Sequence, residues 1–235
     1  MSLPVIVTRS EPGADETARL VTARGFRAIR SPMLRIVETG LDPGALGGVR
    51  HLIFTSVNGV HAVGGAPVPA GIRAWCVGPS TAAAARAAGF EHVHEGAGNA
   101  SDLAGLILAA FPQGPLLHVA NEDAAGTLVA TLRAAGCDAR FAAPYRTEAE
   151  PRLSDGALAA LSGSGPAALL VHSAKAAAAI AASDPDLARA AVIAISSAAL
   201  APLKGRAGLG EWIAGTPDDA AVIAALMDAA AGLRG

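Results

Sequence analysis

The sequence predicts an α/β protein built from parallel sheets with helices on both faces. Three observations lead there. Short apolar runs break at once into polar turns that open helices, and this unit recurs along the chain. The whole series then repeats once over about 115 residues, far beyond the period of a solenoid repeat. The clearest copy is LIFTSVNGV, residues 52–60. Leu52, Ile53 and Phe54 suit a strand buried on both faces. Thr55, Ser56 and Asn58 turn the chain, Gly59 admits unusual backbone angles, and Val60, His61 and Val63 begin a helix. Ser56 or Asn58 would cap that helix. Such a start leaves backbone N–H groups pointing outward and binds anions without a basic side chain.

In chain order, Pro4 to Thr8 reads as a buried strand, Arg9 to Gly13 as a polar turn, and Ala14 to Arg24 as a helix with Ala18, Leu20 and Val21 inward. Gly25 suits the position after that helix, Phe26 to Ile29 begins a strand, and Met33 to Val37 is extended. After the central motif, Ala74 to Val77 is a strand ending in Gly78-Pro79-Ser80-Thr81. Ala82 to Ala88 is the helix it opens, with Pro79 near the first turn and Ser80 or Thr81 satisfying early donors. Phe90 to His94 is a short strand, and Asn99 to Asp102 caps the helix Leu103 to Ala110.

A second pass starts at Pro115 to Val119, which parallels Pro4 to Thr8. Asn121-Glu122-Asp123 replaces the Arg9 turn, and residues 128–141 lie over 18–30. Pro144-Tyr145-Arg146-Thr147 lies where Pro32-Met33-Leu34-Arg35 lay. LLVHSAKAA, residues 169–177, matches LIFTSVNGV, with Ser173 opposite Ser56. Residues 192–205 match the Ala74 segment, and Thr216 to Asp219 caps the last helix. Two like domains follow, each a parallel sheet covered on both faces, and the sequence alone favours a cut near Gly114. Such sheets bind ligands outside the carboxyl ends of their strands. Two facing copies would make a cleft lined by helix starts.

The 235 residues carry ample apolar material for this, at 52% hydrophobic and 16% charged. Mean hydropathy is +0.42. The longest tempting apolar run, residues 190–203, holds two serines and Pro202 and is shorter than the roughly 20 residues a spanning helix needs. No basic region followed by an apolar stretch opens the chain, so a soluble, cytoplasmic protein is expected. Cys76 and Cys137 form no CxxC pair and read as small core residues. A net charge of −2 and 3% aromatics argue against nucleic acid.

Familiar catalytic patterns are missing. No GxGxxG follows a strand, no GxxxxGK[ST] occurs, and Gly163-Ser164-Gly165 precedes a strand where a nucleophile elbow would follow one. The six histidines are scattered, with His92 and His94 alternating in a strand without a third metal ligand. What remains is a set of hydroxyls, amides and glycines at strand ends: Thr8, Thr55, Ser56, Asn58, Gly78, Ser80, Thr81, Asn121, Ser173, Ser196 and Ser197. Each could simply cap a helix. Together they suggest a polyanion held mostly by backbone N–H groups. One helix start contributes only about 0.3–1 kcal/mol per charge at an exposed site, so several must act at once.

LIFTSVNGV, AWCVGPSTAAAARAAGF and the Gly-Asn-Ala-Ser-Asp helix start resemble uroporphyrinogen-III synthase, as do PYRTEAEP, LLVHSAKA and VIAISSAALA further on. The resemblance runs over essentially the whole chain in the right order. It implies an enzyme of tetrapyrrole biosynthesis, without a cofactor and monomeric, acting on hydroxymethylbilane, a linear tetrapyrrole with eight carboxylates. The hydroxyl leaves as water, the D ring inverts through a spiro intermediate, and the macrocycle closes. Positioning suits that task better than a strong nucleophile. The resemblance also implies swapped connectivity: one domain of residues 1–36 plus 149–235, another of 37–148, joined by a two-stranded connector.

In the resemblance, the tyrosine of the PY motif, here Tyr145, donates the proton to the leaving hydroxyl. Tyr145 is the one tyrosine in the chain, and a phenol with a pKa near 10 can donate at neutral pH. Ser56, Asn58, Gly59, Gly78, Thr81, Ser173, Ala174 and Lys175 match positions that meet substrate carboxylates. Arg9 follows the first strand and could reach a carboxylate. Asn121, at the corresponding strand end of the second pass, completes the set. One departure stands out. Where the family often has Gly-Pro-x-Thr after its last-repeat strand, this chain has Ser196-Ser197-Ala198-Ala199, so Ser197 or backbone N–H groups would have to replace the threonine. The reading from a different class is a non-catalytic, two-lobed binding protein for an anionic small molecule.

Overall fold

The computed structural model describes residues 2–11, 13–64, 71–124 and 127–233; Pro12 of the first polar turn lies outside them. In chain order the elements are β1 (Pro4–Val7), α1 (Gly13–Ala23), β2 (Arg27–Arg30), β3 (Leu34–Glu38), β4 (His51–Phe54), α2 (Val57–Val63), β5 (Arg73–Cys76), α3 (Pro79–Ala87), β6 (His92–Glu95), α4 (Ala100–Ala110), β7 (Leu116–Asn121), α5 (Thr127–Ala134), β8 (Ala139–Ala149), α6 (Asp155–Leu161), β9 (Ala167–Val171), α7 (Ala174–Ser183), β10 (Ala190–Ala194), α8 (Ser197–Leu200), β11 (Glu211–Ile213) and α9 (Asp219–Gly232). Strands and helices alternate, as the repeated unit requires.

The chain divides into two compact units, Met1–Arg35 with Glu148–Gly235, and Ile36–Thr147. The first holds a sheet in the order β11-β10-β9-β1-β2, parallel throughout. The second holds β6-β5-β4-β7-β8 in parallel, with β3 added beside β8. There the pairing reverses, since Thr39 N meets Pro144 O at 2.8 Å while Glu150 N meets Met33 O at 2.9 Å. The two orders superimpose strand for strand, with β1 answering to β7 and β9 to β4. In the first unit the β1–β2 pair comes first in the chain. In the second its counterpart β7–β8 comes last. Both sheets reverse strand order at one point, between β1 and β9 and between β4 and β7, where parallel sheets take their ligands.

Alternate residues of each strand feed alternate faces. In the first unit Val5, Val7, Leu170 and Ile193 pack against α1 and α9 through Val21, Val222 and Leu226. Ile6, Leu169, Val171 and Val192 pack against α6 and α7 through Leu161, Ala177 and Ile180. In the second, Leu52, Phe54, Leu117 and Val119 meet Val60 and Val63 of α2. On its other face Ile53, Trp75 and Leu116 meet Leu103, Ile107 and Leu132 of α4 and α5. Both faces are covered, which is why the strands read as continuous apolar runs.

Two local expectations are corrected. Helix α1 buries Ala14, Thr17 and Val21, while Leu20 is 38% exposed and Ala18 only half-buried. The buried stripe follows the i, i+3, i+7 spacing, and Leu20 stands about 100° round the helix from Val21. The strand expected from Phe90 starts instead at His92, because Phe90 folds back beneath α3. Gly89 adopts φ +90°, Phe90 N bonds to Ala85 O at 3.1 Å, and the ring meets Phe54 edge to face. That is a helix stop with a hydrophobic latch.

Candidate functional site

In the second unit the chain leaves β4 through Thr55 and Ser56. Ser56 is extended (φ −158°, ψ 159°), and its Oγ accepts the N–H of Gly59 at 3.3 Å, so Ser56 is the residue that caps α2. Gly59 is needed for space rather than for unusual backbone angles. A Cβ there would lie 2.5 Å from Val119 O, so only glycine lets the first turn of α2 rest on β7. Asn58 is half-buried in that same turn.

Beside the Ser56 cap stands Tyr145, on β8 and 3% exposed. Its hydroxyl lies 2.8 Å from Ser56 Oγ. Burial raises the phenol's pKa above its ordinary value of 10.0, while hydrogen bonds from Ser56 and from the Asn121 main chain pull the other way. At neutral pH the group is therefore a protonated phenol, an acid with a proton to give. Asn121 pairs in register with Tyr145 across a β-bulge. Its side chain is spent locally: Nδ2 donates to Thr147 Oγ1, and Oδ1 accepts from Asp123 N at 3.0 Å. The bulge lets β8 turn Tyr145 toward the end of β4.

At the neighbouring strand end Gly78 caps α3 with no side-chain bond. A Cβ there would press on Gly98 Cα at 3.3 Å. Thr81 is 2% exposed, turned into the core side of α3. Behind the turn, His118 on β7 is 2% exposed, with Nε2 2.9 Å from Thr55 Oγ1 and Nδ1 without a partner. Burial pushes its pKa down to about 4. His118 was not singled out from the sequence, because a lone histidine in an apolar strand carries no spacing signal.

In the first unit Ser173 repeats the Ser56 geometry. It is extended (φ −158°, ψ 152°), and its Oγ accepts Ala176 N at 3.1 Å at the start of α7. Ala174 and Lys175 are exposed in the first turn. Arg9 is already paired within the protein: its Nη1 lies 2.8 and 2.9 Å from the two oxygens of Asp219 and 3.3 Å from Thr17 Oγ1. His172 Nε2 sits 3.3 Å from the same carboxylate, close in charge but out of line for a hydrogen bond. The His172 contact first, and then Arg9 against the opposing effect of burial, hold Asp219 below the usual carboxylate range. The roles of Asp219 and His172 were missed, since Arg9 and Asp219 are 210 positions apart and His172 meets the same carboxylate.

Ser196, not Ser197, caps α8, accepting Ala199 N at 3.2 Å. Counting from the caps Gly78 and Ser196, exposed Ser197 answers to Pro79, and Ala199 answers to Thr81. Both Ala199 and Thr81 are 2% exposed. The threonine hydroxyl is thus absent from the first unit. The phenol is absent there too. Met33 holds the place of Tyr145, its N–H bonded to Thr8 O at 2.9 Å and its thioether fully buried. Among the described residues, no group of three or more His, Cys, Asp or Glu is placed to hold a metal, and no helix is long and apolar enough to cross a membrane.

The two units thus repeat one design of capped helix starts at strand ends, and only one carries a buried acid. Residues 15–224 match the family model described as Uroporphyrinogen-III synthase HemD. The crystal structure of uroporphyrinogen-III synthetase from Helicobacter pylori is similar over 97% of this chain and 99% of its own, at 18% identity and a TM-score of 0.67. A mutant uroporphyrinogen III synthase from Thermus thermophilus is similar over 98% and 99%, at 15% identity and a TM-score of 0.53. Those two likenesses speak for the fold. Among curated proteins none matches. With most of its length matched in order, the chain belongs to the uroporphyrinogen-III synthase family.

Proposed function

We propose that the protein cyclises hydroxymethylbilane to uroporphyrinogen III, a step of tetrapyrrole (heme) biosynthesis, as a cofactor-free lyase that eliminates water. The observation that carries this reading is Tyr145: a buried phenol, hydrogen-bonded at 2.8 Å to the Ser56 cap, in a chain matched by the family model over residues 15–224. Tyr145 gives its proton to the leaving hydroxyl oxygen, the carbon–oxygen bond breaks, and water departs. The methylene carbon is left cationic and electrophilic, and the phenolate stays on the enzyme. Attack by the D ring through the spiro intermediate and closure of the macrocycle release a proton, which restores the phenol. Atoms and charge balance, and no oxidant or metal enters.

Substrate carboxylates are taken by helix starts: Asn58 and Gly78 in the second unit, with Thr81 packed behind the α3 start, and Ser173, Ala174, Lys175 and Ser197 in the first. Gly59 and Asn121 shape the second unit's turn. Arg9, engaged by Asp219, acts by fixing the start of α9 to the end of β1. The protein works as a cytoplasmic monomer, with residues 1–36 plus 149–235 and residues 37–148 as its domains. Supporting this, the pattern spreads weak anion sites over many starts, as a polycarboxylate requires.

Incubation with freshly prepared hydroxymethylbilane, followed by chromatographic resolution of the products, tests the reading. The expected product is the type III isomer. Exclusive formation of type I, the product of spontaneous closure, overturns it, and tight binding without isomer selectivity would favour the two-lobed binding protein.

A further inference from the structure

We propose that Ser56 is a positioning residue for Tyr145: its hydroxyl donates to the phenol oxygen and stabilises the phenolate left after proton transfer. This rests on the reading of Tyr145 as proton donor, and it moves Ser56 from the substrate's ligands to the acid's own support.

Ser56 Oγ lies 2.8 Å from Tyr145 OH and accepts the Gly59 N–H at 3.3 Å. A hydroxyl has two lone pairs and one hydrogen, so Ser56 Oγ accepts the Gly59 N–H and still has its hydrogen for the phenol oxygen. The phenol's own hydrogen then stays available to the substrate. Asn121 pairs in register with Tyr145 across the β-bulge, which holds this part of β8 beside the Ser56 cap. A donor already aimed at the oxygen where negative charge develops stabilises it without reorganisation. Burial alone would make the phenolate costly, and the hydrogen bond with Ser56 opposes it. The nearest titratable group on β7, His118, is turned to Thr55 instead.

The first unit supplies the control. Ser173 caps α7 with the same extended backbone and the same Oγ-to-amide bond. Met33 stands where the tyrosine would be. Helix capping therefore needs no phenol, and the Ser56–Tyr145 contact is an addition to the cap rather than a consequence of it.

Because Tyr145 is the only tyrosine, absorbance titration of the phenolate band reads this one group in the substrate-free protein. Three proteins are compared over the pH range in which circular dichroism shows them folded: wild type, Ser56→Gly and Ser56→Thr. Glycine keeps most of the N-cap stability, and threonine keeps the hydroxyl. The expected result for Ser56→Gly is a midpoint raised by about one pH unit, from loss of one hydrogen bond to a charged group. A lowered kcat at unchanged KM should accompany it, and Ser56→Thr should restore both. An unmoved midpoint in folded Ser56→Gly overturns the proposal, as does a raised KM at unchanged kcat. If wild type forms only the type I isomer, the enzymatic reading fails, and the titration still decides whether Ser56 supports the phenolate.

Discussion

Tyr145 is a weak acid kept in its acid form by its surroundings, and its neighbour His118 is a base kept neutral by the same means. Burial lowers His118 to about 4, whereas an unfolded histidine titrates near 6.5. Between those values the unfolded chain binds more protons than the native one, so stability falls as pH drops from 6.5 toward 4 and is unaffected above that window. The loss from this residue is about 3 kcal/mol. His51 and His94, also lowered chiefly by burial, add to the slope in the same sense. Urea midpoints measured across this range should be flatter for His118→Gln than for wild type; identical slopes would show that His118 is not the buried neutral group described. The sequence marked Tyr145 as solitary and placed it in a motif. It gave no sign of His118 or of the pairing of Asp219 with Arg9 and His172, because burial and long-range pairing leave no local pattern. Arg9 was visible only as a cation after a strand, and its engagement by Asp219 appears only when β1 and α9 are brought together.

At the scale of the element, small residues decide where the helix starts can lie. Gly59 and Gly105 make the point as a pair. Both are helical, but a Cβ on Gly59 would meet Val119 O at 2.5 Å, whereas nothing lies within 4 Å of one on Gly105. Gly105→Ala should therefore stabilise by about 0.5–1 kcal/mol through helix propensity. Gly59→Ala should destabilise by about 1–3 kcal/mol, since backbone must move apart on both sides. Equilibrium denaturation of the two variants checks this, and a stabilising Gly59→Ala would mean that α2 does not rest on β7 as described. The caps were legible: Asn99 accepts Asp102 N at 2.9 Å, and Asp218 accepts Ala221 N at 2.8 Å. The inward face of α1 was misread because Thr17, a polar residue, takes the buried position that Leu20 was expected to share. Hydropathy ranks those two residues in the wrong order for that helix.

For the whole molecule, duplication carries the most information. Two like parallel sheets, each covered on both faces, were visible as two matching runs of strand, turn and helix. The permuted chain order, with β1–β2 first in one unit and β7–β8 last in the other, was not visible in periodicity, since a repeat signal is blind to which strand pairs with which. It entered only through family resemblance. Duplication also exposes what is not shared. The second unit keeps Tyr145 and Thr81, where the first has Met33 and Ala199. The central claim is that acid chemistry belongs to Tyr145 alone. The direct measurement is the rate and isomer composition of uroporphyrinogen formed from hydroxymethylbilane by wild type and Tyr145→Phe. The account predicts type III product from wild type and a rate lower by about 10²–10⁴-fold in the variant, the range for loss of a general acid; equal rates and equal isomer composition from the two proteins would contradict it.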